Sequence, residues 1–295
     1  MLWAVVGNTG LLGSDIEKTL VFSGERVIGF NRSNLNLELS ESEIANEIAK
    51  QAIQQFGEKP AVAVNAVAYT AVDKAETDLI ELEKVNIDYS RKLAVAAKQL
   101  DSRLMHVSTD FVFDGESSKP YEVSDSANPK TAYGISKLAG ELAVQHSGAD
   151  YQIFRTAWLY GENGNCFPKT VSRVLSEKGL MKVVTDQIGQ PTWTKDLAEL
   201  MIAHQNLNEG KRPRLVHATA SGSCSWYEFA CEIALSLGHN PDQVISPITS
   251  EQYPTPATRP AYSVLNNKNE TGLAISDWKQ RWKAAAGLVL AEELE

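Results

Sequence analysis

The chain has 295 residues, 43% of them hydrophobic and 22% charged, with a formal net charge of −9. That length holds one large domain or two moderate ones, with ample material for a buried core. The acidic balance argues against general nucleic-acid binding, no apolar run approaches the roughly twenty residues of a membrane helix, and Met1 runs directly into a strand with no basic, cleavable leader, so a cytoplasmic protein is expected. Cys166, Cys224 and Cys231 follow no metal or redox spacing and are expected as reduced thiols; the five histidines are scattered, and no metal site is expected.

The first predicted element is Leu2-Trp3-Ala4-Val5-Val6, a continuous apolar run of the kind buried on both faces of a parallel sheet. Gly7-Asn8-Thr9-Gly10-Leu11-Leu12-Gly13 follows and opens a helix to about residue 23. A glycine-rich turn between a first strand and a first helix suits a dinucleotide. Gly7 permits the tight turn, Gly10 lets the backbone approach a pyrophosphate, and Gly13 lets helix and strand pack closely. The phosphates would rest on the free N–H groups of the helix N-terminus.

The second strand, Arg26–Phe30, ends in Asn31-Arg32-Ser33 and carries no acid there. An acid at this place meets a ribose 2′-hydroxyl, whereas an arginine suits a 2′-phosphate, so NADP(H) is expected ahead of NAD(H), unless Arg32 is only a solvated loop residue. A helix over 41–56 and a third strand over 61–65 come next. The strand runs into Ala66-Val67-Ala68-Tyr69-Thr70, small enough at its start for a cofactor to cross the sheet edge. A helix over 82–99 leads to a fourth strand over 103–107 and then Ser108-Thr109-Asp110-Phe111. The Thr109 hydroxyl could reach a substrate carbonyl in the crevice, or serve as a turn cap.

Ala132-Tyr133-Gly134-Ile135-Ser136-Lys137 opens the next helix, to about residue 147. Tyr133 and Lys137 are four apart and share a helix face. A neighbouring ammonium favours the phenolate, so the pair is expected to lower the tyrosine pKa and make it a general acid; alone, the spacing fits an ordinary surface tyrosine as well. A fifth strand over 151–156 completes the alternation of strand and helix that defines a doubly wound parallel α/β sheet.

Beyond Thr156 the pattern loosens. Trp158, Asn165 and Phe167 lie in glycine-containing loops, where the aromatics either stack on a base or sugar or pack in the core. Helices are expected over 168–179 and 195–206, and another opens at the Ser225-to-Glu228 capping box. Residues 254–260 form an extended loop with one arginine, Arg259; a helix from about Asp277 and an acidic, solvated tail close the chain.

Assembled, these motifs resemble the extended short-chain dehydrogenase/reductases over nearly the whole length. The likeness rests on residues 7–13, on 65–70 continuing into Val72-Asp73-Lys74-Ala75-Glu76, on 108–113, on Tyr133 and Lys137, on Phe154-Arg155-Thr156-Ala157-Trp158, and on 186–192 and 253–260. The resemblance implies a Rossmann-type NADP(H)-binding domain over 1–157 plus about 182–216, and a smaller substrate-binding domain over about 158–181 and 217–295. It implies hydride transfer from the nicotinamide to the C4 keto carbon of a dTDP-sugar. Tyr133 would give the proton, Lys137 would lower its pKa and hold the nicotinamide ribose, and Thr109 would bond the carbonyl or the tyrosine. Cofactor contacts would fall on Gly7, Thr9, Gly10, Leu11, Leu12, Gly13, Asn31, Arg32, Asn36 and Leu37. The same holds for Ala66, Ala68, Tyr69, Thr70, Asn86, Val107, Tyr133 and Lys137. Substrate contacts would fall on Thr70, Asp73, Thr109, Asp110, Phe111, Trp158, Asn165, Phe167, Gln190 and Arg259.

Two departures from the family pattern stand out. Some members hold magnesium between subunits through acidic side chains, and Lys195 occupies one such position here, which speaks against magnesium and against that dimer; a monomer or another homodimer is expected. Asn36 stands where relatives often place an aspartate near the adenine. A related dehydratase would need a second carboxylate after Asp110, where Phe111 stands. An epimerase would hold NAD tightly, and a non-catalytic NADP-binding subunit would not need Thr109, Tyr133 and Lys137 together.

Overall fold

Five predicted stretches form the parallel strands expected of them: β1 (Leu2–Val6), β2 (Arg26–Phe30), β3 (Val62–Asn65), β4 (Arg103–Thr109) and β5 (Tyr151–Thr156). The structure, a computed structural model, describes residues 1–291; the acidic tail lies outside the described residues. A sixth strand, Leu215–His217, was not legible in the sequence and joins the sheet beside β5. The sheet order is Leu215–His217, β5, β4, β3, β1, β2, parallel throughout.

Alternation along each strand divides the core. Trp3 and Val5 face α1 (Leu11–Phe22) through Ile16 and Leu20, while Leu2, Ala4 and Val6 face α2 (Glu41–Phe56) through Ile44 and Ile48. α2 is fixed at both ends: Ser40 and Glu43 close a reciprocal capping box, and Gly57 ends the helix in the left-handed conformation. The chain crosses from β1 to β2 on one side and returns to β3 on the other, so the turns after β1 and β3 diverge and leave a crevice at the strands' carboxyl ends.

The helix expected over 82–99 begins earlier and is irregular. Leu79–Glu83 leads into a π-helical turn, Lys84–Asp88, before the regular run Tyr89–Leu100. The irregularity has a tertiary cause. Asn86 is wholly buried, accepts from the Tyr69 backbone N–H at 2.8 Å and donates to Ser136 Oγ at 2.9 Å, contacts that the wider turn lets it reach.

The remaining chain builds on the α1 side of the sheet. The helices Phe167–Lys178 and Trp226–Ser236 pack against a small parallel pair, Met181–Val184 with Ile245–Ile248, and Trp278–Val289 packs against Trp226–Ser236. One apolar cluster runs unbroken from Trp3 and Met105 of the sheet to Phe229, Trp278 and Trp282. Behind the helix Ala132–His146, Arg155 of β5 grips Glu141 through two hydrogen bonds of 2.9 and 2.7 Å, both side chains almost fully buried. The Arg155 guanidinium also lies 5.1 Å from the centroid of the Phe113 ring. Removing one member of such a pair strands the other charge in a dry interior. Glu141→Ala is therefore expected to lower unfolding free energy in urea by about 3–5 kcal/mol, and a loss under about 1 kcal/mol, the surface-pair range, would show that the pair is solvated.

Candidate functional site

The site is assembled where the chain leaves β1, β3 and β4. Gly7 has φ +92°, and a Cβ on Gly13 would lie 2.1 Å from the Gly7 carbonyl oxygen, so the turn and the first turn of α1 interlock only with glycine at 13. Gly10 is the helix N-cap; no side chain caps that end and no acid sits in its first turn. Those N–H groups therefore face the crevice with the positive end of the helix dipole, an arrangement suited to an anion.

Thr109 ends β4. Its hydroxyl donates to Asp110 Oδ1 at 3.0 Å, accepts from the Phe111 N–H at 3.3 Å, and lies beside the Tyr133 phenol. Capping role and site placement, alternatives in the sequence, are thus met by one hydroxyl. Tyr133 projects from the first turn of the helix Ala132–His146, which Thr131 caps through the Gly134 N–H at 3.0 Å and Glu76 holds through the Ala132 N–H at 3.0 Å. Phe111 packs edge-on against Tyr133, with ring centroids 5.6 Å apart.

Lys137 is on the same face and buried, as its spacing requires, but its ammonium donates to the Val107 carbonyl at 2.7 Å and is not directed at the phenol. The electrostatic expectation is correspondingly overturned. Burial pushes Tyr133 up to about 12, with Thr109 pulling it back and the Asp110 charge adding to the rise. Burial also lowers Lys137 to about 8, opposed by the charge of Glu141. Asp110 is raised to about 6 by burial, against hydrogen bonds from Ser263 and Thr109.

These groups open on a cleft of about 830 Å³. Gly10, Leu11, Leu12, Ala66, Ala68 and Val107 line it together with Thr70, Thr109, Tyr133 and Lys137. Asp73, Asp110, Phe111, Trp158, Asn165, Phe167 and Arg259 line it as well. Asp73 and Arg259 meet there as a bidentate ion pair, one contact at 2.8 Å, and Asp73 also accepts from the Ala257 N–H at 3.2 Å. The Arg259 guanidinium holds the Asp73 carboxyl below its usual range.

Other expected contacts lie off the cleft wall. Asn86 is a buried strut, as described. Gln190 is another: its amide donates to the Ala220 and Leu265 carbonyls at 2.9 and 3.2 Å and accepts from the Leu265 N–H at 2.7 Å. The Leu37 side chain is in the core beneath α2, Asn36 is exposed and caps the Glu38 N–H, and the Tyr69 hydroxyl donates to Asp78 at 3.0 Å. Thr9 is exposed on the glycine turn. At the end of β2, Asn31 donates to Asn8 at 3.3 Å, and exposed Arg32 has no hydrogen-bond or ion-pair partner among the described residues. Sequence reading missed Lys182, Gln187, Trp226, Tyr253 and Ser263, all of which line the cleft. Trp226 was visible only as part of a helix cap, Gln187 and Tyr253 lay within the family-like stretches 186–192 and 253–260 without being singled out, and Lys182 and Ser263 sit in segments with no motif of their own.

A doubly wound sheet with a glycine turn at its switch point and a buried Tyr–Lys helix beside it defines a dinucleotide-binding protein of the reductase type. The chain belongs to the family described as the RmlD substrate binding domain, whose model matches residues 1–293. It is 38% identical over 292 residues to a dTDP-4-dehydrorhamnose reductase of Burkholderia thailandensis, covering 93% of this chain and 94% of that one. It is 35% identical over 282 residues to the spore coat polysaccharide biosynthesis protein SpsK of Bacillus subtilis, covering 94% and 93%. Among solved structures it resembles a dTDP-4-dehydrorhamnose reductase of Clostridium acetobutylicum, with a TM-score of 0.87, 37% identity and coverage of 98% and 99%. A Bacillus anthracis dTDP-4-dehydrorhamnose reductase in complex with NADP aligns with a TM-score of 0.85, 29% identity and coverage of 96% and 98%. The resemblance to extended short-chain dehydrogenase/reductases drawn from the motifs agrees with these matches.

The lowered lysine has a consequence for stability. Lys137 is charged at pH 7 in both the folded chain, at about 8, and the unfolded chain, at 10.5. Its folded value is the lower one, so burial of the ammonium opposes folding below about pH 8, and that opposition is relieved as the pH rises through about 10.5. Lys137→Met is therefore expected to be more stable than the wild type at pH 7, by up to about 3 kcal/mol, with the difference closing as urea unfolding is repeated at rising pH. A difference that does not change with pH would rule this out.

Proposed function

We propose that this protein is an NADPH-dependent reductase of the C4 keto group of dTDP-4-dehydro-L-rhamnose, giving dTDP-L-rhamnose. The observation that carries it is the meeting of Thr109, Tyr133 and Lys137 at the carboxyl end of β4, inside a cleft that also receives the glycine turn. The named activity of full-length relatives at 35–38% identity supports the substrate.

The residues fit a dinucleotide. The uncapped N-terminus of α1 would take the pyrophosphate, and Arg32, without a partner among the described residues at the end of β2, would take a 2′-phosphate. Residues 1–157 with about 182–216 would hold the cofactor, and about 158–181 with 217–295 the sugar nucleotide. Reduced nicotinamide supplies the hydride when bound. Tyr133 meets the developing alkoxide as a protonated phenol, the form its burial favours, and gives up its proton. The buried Lys137 ammonium then stabilises the phenolate left behind, and Thr109, held by Asp110 and Phe111, orients phenol and carbonyl alike.

Two outcomes test this reading. Tyr133→Phe should bind NADPH as the wild type does, followed by fluorescence titration, while turnover of dTDP-4-dehydro-L-rhamnose falls by about 10²–10⁴-fold; full turnover would remove Tyr133 as the acid. Arg32→Ala should weaken NADPH binding and leave NADH binding unchanged, measured in parallel titrations. Equal loss for both dinucleotides would place Arg32 elsewhere than the 2′-phosphate.

A further inference from the structure

The reduction chemistry leaves part of the cleft wall unused. Lys182 and Trp226 both line the cleft. Lys182 lies on the strand Met181–Val184 and Trp226 opens the helix Trp226–Ser236, two elements that pack against each other.

The aromatic group expected to meet a ligand was Trp158, and in the structure it lines the cleft as one half of a stacked pair. Trp158 holds a left-handed backbone, φ +45°, in which its indole stacks on Trp226 at 3.5 Å between ring centroids and 9° between planes. A Cβ on Gly189 would sit over the same indole, nearest its ring-fusion atom Cε2 at 2.4 Å. Gly189 therefore packs directly against the indole on which Trp226 stacks. Both members of the stack are half-buried, and Trp226 is braced by Phe167 at 4.5 Å and 61°.

The charges point to the same region. Three cations line the cleft: Lys137, Lys182 and Arg259. Lys137 is bonded to the Val107 carbonyl and Arg259 is neutralised by Asp73, whereas Lys182 has no partner among the described residues. A diphosphate entering a chain of net charge −9 needs a local counter-charge, and Lys182 is the one not already committed.

We propose that Trp226 is the surface on which the nucleobase of the sugar nucleotide stacks and that Lys182 is the counter-charge to its diphosphate. This rests on the reading of the cleft as a nucleotide-sugar site. A flat indole braced from behind offers stacking with little loss of side-chain freedom, and base-on-aromatic stacking is insensitive to the rest of the ligand. The two residues thus separate recognition into a base-dependent and a phosphate-dependent part.

The separation can be read with two probes, thymidine and dTDP, titrated calorimetrically into the NADPH-saturated protein. Trp226→Leu is expected to weaken both probes by about ten- to hundredfold, and Trp226→Phe by less. Lys182→Gln is expected to weaken dTDP by about fivefold or more and to leave thymidine unchanged. NADPH affinity should be unchanged in all three, which also reports that each is folded. Thymidine binding equal to wild type in both Trp226 variants would overturn the stacking surface, and equal losses of thymidine and dTDP in Lys182→Gln would overturn the phosphate role. If the wild type reduces the ketosugar while the variants bind dTDP unchanged, the subsite is wrong and the reductase reading stands. If the wild type neither binds dTDP nor oxidises NADPH with the ketosugar, the reductase reading has failed and this subsite falls with it.

Discussion

The arrangement turns on placing a lysine ammonium in a wall that excludes water. Desolvation opposes it, and on its own helix only the charge of Glu141, one turn away and already held by Arg155, works against that cost. What holds Lys137 is a single backbone carbonyl, Val107, on β4. That bond fixes the rotation of the helix Ala132–His146 against the sheet, and with it the direction of Tyr133. The surrounding bonds serve the same registration: Asn86 ties Ser136 of this helix to the Tyr69 backbone, and Glu76 and Thr131 hold its first turn. A site that carries a group unfavourable to folding needs supports that lie outside the chemistry, and this helix has them on three sides.

The phenol departs from the simple expectation of a tyrosine made acidic by its lysine. Burial raises it, so the group rests protonated across the physiological range. For a proton donor that is the useful form, because an alkoxide forming on a sugar carbon is a stronger base than the phenolate of even a raised tyrosine. On the reading proposed above, the ammonium acts after transfer, on the phenolate, and needs only to be near; it need not pair with the phenol beforehand.

Much of this was legible in the sequence, and the boundary has physical reasons. Leu2–Val6 reads as a strand because burial on both faces leaves an unbroken apolar run, Arg26–Phe30 and Tyr151–Thr156 follow from the alternation of strand and helix, and Ser225 announced its helix because a capping box is a local contract between residues three apart. The crevice followed from the glycine turn. What could not be read depended on contacts distant in sequence. The π-helical turn exists because Asn86 must reach residues 17 and 50 positions away. Gln190 had the look of a ligand contact in a Gly-Gln-Pro-Thr loop, yet its amide spends both ends on backbone 30 and 75 residues off. The strand Leu215–His217 is three residues long and owes its place to β5 rather than to its own pattern. Trp158 was picked out as an aromatic without its stacking partner Trp226, which is distant in sequence.

Net charge is the quantity that misleads most easily here. A chain at −9 would repel an anionic dinucleotide and an anionic sugar nucleotide if charge acted as a whole-body property. Screening confines the effect of an exposed charge to about 8 Å at physiological salt, so what a phosphate meets is the local set. Along the cleft and its rim that set is positive in separate places: the uncapped end of α1, Arg32 at the end of β2, and Lys182 on its own strand. Asp73, the acid best placed to oppose them, is matched by Arg259. The acidic excess therefore lies elsewhere on the surface, where it favours solubility, and the ligand-facing wall keeps its own sign. A site that binds two anions side by side requires this division, because each phosphate cluster needs its own counter-charge and one strong cation between them would compete for both.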